Sequence, residues 1–402
     1  MSKVVAIVGT LDTKGAEFEF LKNQIESHGV GTLVINAGFL GEPPFTPDVS
    51  SREVTEAAGE DLDMLIKEAD RGHSVAAMCN GVSVIAADLY RKGRFNGIIS
   101  MGGGAGTTIG SAAMRVLPIG VPKLIVSTVA SGNVQPYVDI KDITMMPAIT
   151  DISGLNRISR KIIANAAGAI AGMVKVASKP YAEDKPVIGA SMFGVTTPCI
   201  THARELLEAK GYEVLVFHAS GTGGRTLEDL IRSGMIQGVL DITTHELADE
   251  LVGGVRNAGP DRLEAAGKMG IPQVVSAGAL DMINFGPPET VPVKFKDRRF
   301  YPHTPKTTLM RSTKEENSEL GRIVANKLNR AKGPTTFMIP QKGFSMMDKQ
   351  GQPFYDPEAD NAFITSLKEN LSHRINLVEM DTDINDPVFA EKAVAILLKY
   401  LK

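Results

Sequence analysis

The chain has 402 residues, two cysteines and a formal net charge of −3. That length exceeds one ordinary hydrophobic core, so two domains are expected. The charge balance excludes a general nucleic-acid surface, which needs a basic face, and Cys79 and Cys199 supply no disulfide framework. The N-terminus enters a strand without signal-peptide grammar. The longest apolar window, 162–177, is too short to cross a bilayer. A cytoplasmic protein with no membrane and no nucleic-acid partner is expected.

Val4 to Val8 is an apolar run that reads as a buried strand, followed by the polar loop Gly9-Thr10-Leu11-Asp12-Thr13-Lys14-Gly15 and a helix over 17–27. A second strand is expected over 32–36, then a proline-bearing excursion over 38–51. The run Gly97-Ile98-Ile99-Ser100 reads as a strand that ends in Gly102-Gly103-Gly104-Ala105-Gly106-Thr107-Thr108, a tight turn into a helix. Amides at such a helix start face outward with partial positive charge and suit phosphate or carboxylate, while Thr107 and Thr108 can cap the helix or donate hydroxyls. A strand over 120–127 and a packed helix over 162–177 complete the first half.

The same phrases then recur. Val187-Ile188-Gly189-Ala190 leads through Thr196-Thr197-Pro198 into a helix over 202–210, a glycine and a strand over 213–218. Gln237-Gly238-Val239-Leu240-Asp241 matches 96–100, and Gly270-Ile271-Pro272-Gln273-Val274-Val275-Ser276 matches 120–127. Beyond these come a basic, irregular segment over 298–311, a strand over 335–339, an acidic surface loop to Asp360, a helix over 362–371, a strand over 375–380 and a last helix from Pro387. Apolar strands without alternation, separated by helices, mean parallel strands buried on both faces. The fold class expected is α/β, two Rossmann-like open parallel-sheet domains with a ligand cleft between them: 1–178, a linker over 179–185, and 186–402.

Ligands of such sheets sit beyond the carboxyl ends of the strands. The loop at Thr10, Asp12 and Lys14 holds hydroxyls, a carboxylate suited to magnesium and a phosphate-binding lysine. It is not a P-loop, because Lys14 precedes Gly15 and no Gly-Lys-Ser/Thr occurs there. A helix-capping loop with a solvated lysine is the plainer alternative. The glycine turn at 102–107 is not a dinucleotide fingerprint either, and Asn36 stands where NAD proteins place an acid. In the second half, Ser220-Gly221-Thr222-Gly223-Gly224-Arg225 is another anion-binding candidate, with Arg225 able to bind a carboxylate or phosphate in two-pronged fashion. His218, Asp241 and His245 fall at strand ends of one sheet edge and are candidates for proton handling. No metal ligand set is expected.

The motifs at 9–15, 100–107 and 220–225, with Glu246-Leu247-Ala248-Asp249-Glu250-Leu251 and Gly278-Ala279-Leu280-Asp281-Met282-Ile283-Asn284-Phe285-Gly286, resemble those of one bacterial and plant family. That family includes the ATP-binding N-terminal region of the tomato mosaic virus resistance protein, and the likeness runs from Val4 to the final helix. The resemblance implies a two-domain Rossmann-like protein, commonly a homodimer, with ATP bound in the N-terminal domain. Nucleotide contacts would come from Thr10, Asp12, Lys14, Gly102, Gly103, Gly104, Ala105, Gly106 and Thr107. It implies no role for the second-domain motifs.

The leading expectation is an ATP-binding protein, with magnesium, acting on a small anionic metabolite by phosphoryl transfer or ATP-dependent activation. The alternatives are a nucleotide-responsive protein-binding module without turnover and a sugar-acid lyase or isomerase that uses no ATP.

Overall fold

The computed structural model describes residues 3–176 and 185–402. The chain divides into two compact units, 1–180 and 181–402. The linker expected at 179–185 lies, except for Lys185, outside the described residues.

In the first unit β1 (Val4–Gly9), α1 (Leu11–Ser27) and β2 (Gly31–Asn36) are followed by three helices, α2 (Ser51–Ala57), α3 (Leu62–Glu68) and α4 (Arg71–Arg91). Then come β3 (Gly97–Gly102), α5 (Gly104–Arg115), β4 (Lys123–Ser127), α6 (Gln135–Val138), β5 (Thr144–Pro147) and α7 (Arg157–Lys175). The strands form one sheet in the order β2-β1-β3-β4-β5, with every pairing parallel. Val5 and Ile7 of β1 pack with α1 and α7 on one face, and Ala6 and Val8 pack with α4 and α5 on the other. Both faces being covered explains why these strands read as continuous apolar runs.

The second unit repeats the plan with β6 (Val187–Met192), α8 (Thr197–Glu208), β7 (Glu213–His218), α9 (Thr222–Arg232), β8 (Gly238–Thr243), α10 (Glu246–Val252), α11 (Ala265–Met269) and β9 (Gln273–Gly278). An antiparallel ribbon follows, made of β10 (Met282–Phe285), β11 (Phe300–Thr304) and β12 (Thr307–Arg311). The unit closes with α12 (Lys314–Leu328), β13 (Thr335–Pro340), α13 (Pro357–Asn370), β14 (Asn376–Met380) and α14 (Pro387–Tyr400). Its main sheet is parallel, in the order β14-β13-β9-β8-β6-β7. Each unit is thus a Rossmann-like α/β domain.

Three expectations need correction. The polar stretch after β1 is not a loop: Thr10 is the N-cap of α1, and residues 11–15 form its first turns, with Lys14 alone off helical geometry (φ −135°, ψ 28°). The segment over 298–311 is not irregular. It forms two paired strands, and Arg298 is held by both carboxylate oxygens of Glu316 at 2.9 and 2.7 Å. The acidic stretch before Asp360 is not a surface loop either, because Asp348 is fully buried and Asp360 nearly so. Both carboxylates gather on the buried Arg311, at 3.2 Å for Asp348 and 2.6 Å for Asp360.

Candidate functional site

In the order β2-β1-β3, neighbouring connections leave β1 and β3 toward opposite faces, which opens a crevice beyond their carboxyl ends. A cavity of about 520 Å³ lies there, within the size range of small-molecule sites. Thr10, Asp12, Thr13 and Lys14 line it from the start of α1, and Gly103 to Gly106 from the start of α5. Phe39, Leu40, Leu65, Ile66 and Ile109 form an apolar wall. Leu40 is 73% exposed and Ile66 51%, so this wall offers apolar surface that a ligand would cover.

Two glycines of the turn into α5 do different jobs. A Cβ on Gly102 would stand 2.8 Å from the Gly106 Cα, so this glycine lets helix and strand approach. A Cβ on Gly104 would meet nothing within 4 Å and would project into open space. The first intrahelical bond of α5 runs from Thr107 N–H to the Gly103 carbonyl at 2.8 Å. The amides of Gly104, Ala105 and Gly106 precede it, as helix-start donors always do, and they carry the positive end of the helix dipole.

The flanking groups are already oriented. Asp12 accepts from Thr13 N–H at 2.8 Å and from Leu40 N–H at 2.7 Å, tying the excursion after β2 to α1. Thr13 Oγ1 lies 3.2 Å from Thr10 Oγ1. Lys14 Nζ donates to the Ile152 carbonyl, which leaves two of its three protons for other partners. Arg71, at the start of α4, and Asp151 complete the rim.

Thr107 and Gly102 do not line this cavity. Thr107 is fully buried, and its hydroxyl lies 2.6 Å from that of Ser127. Sequence reasoning missed Arg71 and Asp151. Neither sits in a recognisable motif, and Asp151 arrives through a loop that Lys14 and Glu17 hold from a distant part of the chain.

In the second unit the glycine turn was expected to receive an external anion, but its amides are occupied internally. Glu246 accepts from Gly221 N–H at 2.6 Å and from Gly224 N–H at 3.1 Å. A Cβ on Gly223 would stand 1.9 Å from the His218 carbonyl oxygen, so this turn is packed against the end of β7. Ser220 donates to that same carbonyl at 3.2 Å, Thr222 opens α9, and Arg225 lies on that helix.

Asp241 likewise has structural partners. It takes both terminal nitrogens of Arg262, at 2.5 and 2.6 Å, and the Ser191 hydroxyl at 2.7 Å. Arg262 Nε reaches Glu246 at 2.7 Å, and its Nη1 lies 3.4 Å from Glu228. Burial works to discharge Arg262, but Asp241 and Glu246 outweigh it and hold its pKa well above the usual arginine range. Burial pushes the carboxyls of Glu246 and Glu228 up.

His218 and His245 do come together, both against the ring of Phe193. Ring centroids are 5.3 Å apart for His218–Phe193 and 4.3 Å for His245–Phe193, and Arg256 stands over the same phenyl ring. Burial, with the Arg256 charge second, lowers the pKa of both histidines, that of His245 strongly. His245 is fully buried, and neither of its ring nitrogens has a hydrogen-bond partner among the described residues. Among those residues no group of three or more acidic, histidine or cysteine side chains is arranged to hold a metal, and no helix is long and apolar enough to cross a membrane.

The chain belongs to the uncharacterised protein family UPF0261: residues 3–179 match its N-terminal domain and 185–401 its C-terminal domain. A UPF0261 protein of Clostridium tetani is 53% identical over 391 residues, covering 97% of both chains. The ToMV resistance protein Tm-1(GCR237) of Solanum lycopersicum is 38% identical over 420 residues, covering 98% of this chain and 55% of the tomato protein. Among solved structures, the UDP-N-acetylglucosamine 2-epimerase of Rickettsia bellii aligns with 100% of this chain and 97% of its own at 11% identity and a TM-score of 0.25. A superposition that loose is no basis for a function.

Proposed function

We propose that this UPF0261 protein binds ATP in the cavity at the carboxyl ends of β1 and β3. The observation that carries the reading is the cradle at Gly104, an open helix start with an apolar wall on its other side. Phosphates suit the amides of Gly104 to Gly106 and the cations of Lys14 and Arg71. The adenine suits the wall formed by Phe39, Leu40 and Ile66. Both oxygens of Asp12 already accept backbone amides, so magnesium would arrive on the phosphates, with Asp12 beside it through water, as magnesium commonly binds. Phosphoryl transfer or ATP-dependent activation is the chemistry this arrangement suits, since positioning and charge stabilisation supply most of that catalysis. The family resemblance adds a homodimer to the reading, and the charge balance and two unpaired cysteines suit a cytoplasmic one.

Calorimetric titration of the full chain with ATP, with and without magnesium, tests it beside a Gly104→Val variant. The expected result is binding to the wild type, at least tenfold weaker in the variant, with the two melting temperatures alike. Absence of binding to a folded wild type removes the reading.

A further inference from the structure

A second cavity, of about 410 Å³, opens at the same sheet edge beyond β4 and β5. Its lining is mostly hydroxyl-bearing: Ser127, Thr128, Ser131 and Thr150, with Ala148, Ile149 and Asp151. Asp151 also lines the first cavity and is the one residue common to the two linings. We propose that this second cavity holds a neutral polyhydroxylated acceptor, a sugar or polyol, and that Asp151 is the base for phosphoryl transfer to it from the nucleotide. The proposal rests on the ATP reading of the first cavity.

Placement follows from register. Ser127 pairs with Pro147 at the ends of β4 and β5, and Gly102 pairs with Ser127 at the ends of β3 and β4. The loops that follow these strands therefore leave the sheet side by side. Ala148 N–H donates to the Ser127 carbonyl at 3.0 Å, which locks the second loop to the first.

Three features of the 148–152 loop go beyond what a connection requires. Ile149 has φ +66°, a left-handed conformation that a β-branched residue adopts only at a cost of about 1–3 kcal/mol. Its side chain is 72% exposed, so packing does not repay that cost. The Thr150 hydroxyl is shielded from solvent and has no partner among the described residues. Lys14 and Glu17 of α1 clamp the next residues, through the Ile152 carbonyl and the Gly154 amide. The clamp holds Asp151 between the two cavities.

The chemistry of the lining selects the acceptor. The Ser127 hydroxyl is already held by Thr107 and Val129, but those of Thr128, Ser131 and Thr150 can both donate and accept, as a polyol requires, and the lining includes no cationic side chain that would favour an anion. Asp151 Oδ1 accepts from Ile152 N–H at 2.8 Å, and Oδ2 has no partner among the described residues. In the transfer the acceptor hydroxyl oxygen forms a bond to the γ-phosphorus. The bond from that phosphorus to the β,γ-bridging oxygen breaks, and ADP leaves with the electron pair. The hydroxyl proton passes to Asp151.

The test uses the full chain, glycerol, ribose, glucose and myo-inositol as probes, and a non-hydrolysable ATP analogue. Saturation-transfer NMR reads polyol binding beside the analogue, and ADP release reads turnover with Mg-ATP. The expected result is binding of at least one polyol, weakened tenfold or more in Thr150→Val while analogue affinity holds. ADP release should then depend on that polyol, and Asp151→Asn should lower kcat by about 10²–10⁴ with the polyol still bound. Analogue binding with no polyol bound overturns the acceptor site alone. Polyol-independent ADP release, or Asp151→Asn turning over like wild type, overturns the transfer. If the analogue itself does not bind, the nucleotide reading falls first and the acceptor role with it.

Discussion

The hydroxyls of Thr107 and Ser127 lie 2.6 Å apart in the interior of the first unit, joining the first turn of α5 to the end of β4. Ser127 Oγ also accepts from Val129 N–H at 3.1 Å. Thr107 therefore fixes the helix start against the strand whose loop lines the second cavity. The residue adjacent to the glycines in sequence supports the site from behind.

Thr107→Val keeps the shape of the side chain and removes the hydrogen bond. It should lower stability by about 1 kcal/mol and leave ATP affinity within about twofold of wild type. Urea unfolding and calorimetry on the same variant check this. A tenfold loss of affinity at unchanged stability would instead make the hydroxyl a ligand contact.

Arg262 is the counterpart in the second unit, where one guanidinium holds the buried carboxylates of Asp241, Glu246 and Glu228. Arg262→Met leaves three buried carboxylates without their cation and should cost at least about 3–5 kcal/mol. Arg262→Lys should recover little, since an ammonium cannot span the same fork of acceptors. The urea midpoint of the full chain is the measurement, and a loss below about 1 kcal/mol would show that the network is not a fastening.

What was legible in the sequence was set by local periodicity. Strand β1 reads as buried because Val5 and Ile7 face one core while Ala6 and Val8 face the other, and that leaves an unbroken apolar run. The start of α1 was hidden because its first turns are filled by Asp12, Thr13 and Lys14, which look like loop text until Leu40 and Ile152 close on them. Arg262 could not be found at all. Its carboxylate partners lie 16, 21 and 34 positions away, and no spacing rule connects them. Asp151 is the same case at greater range, since the lysine that clamps the next residue is 138 positions distant. Glu246 shows the opposite failure. A glycine turn reads as an anion site whether the anion is a ligand or the chain's own carboxylate.

His245 occupies a full imidazole volume and has no hydrogen-bond partner for either nitrogen among the described residues. Replacing an unpaired buried polar group by an apolar one of similar shape is neutral to stabilising, so His245→Phe should gain up to about 1 kcal/mol at pH 7. Its pKa in the fold is depressed by burial, with Arg256 adding to it. Stability from this group is therefore complete above the unfolded value of about 6.5 and is lost as pH falls below it. The variant should flatten that acid limb in a series of urea melts from pH 7 to 5. If turnover also survives in His245→Phe, the imidazole has no part in proton handling.

Asp348 gives the opposite slope. Burial, reinforced by the charges of Asp281 and Asp360, pushes its carboxyl up to about 10, while Arg311 pulls the other way. Burial also raises Asp281 and Asp360, each to about 6. Burial and the mutual repulsion of Asp348, Asp281 and Asp360 thus favour a proton shared among the three carboxyls, and the cluster around Arg311 holds fewer charges than its formula suggests. Between the unfolded carboxylate pKa of about 4 and the folded value of about 10, the folded chain binds this proton and the unfolded chain does not. Unfolding free energy from this group must then fall as pH rises through that window. Asp348→Asn removes the charge but leaves one acceptor oxygen where Asp348 uses two, one for Phe344 N–H at 3.0 Å and one for Arg311 Nη2 at 3.2 Å, so the variant loses one bond at every pH. It should be weaker than wild type near pH 5 and close that gap progressively toward pH 9. Urea melts at both pH values decide the matter: a variant weakened by the same amount at both would mean that Asp348 is ionised in the fold.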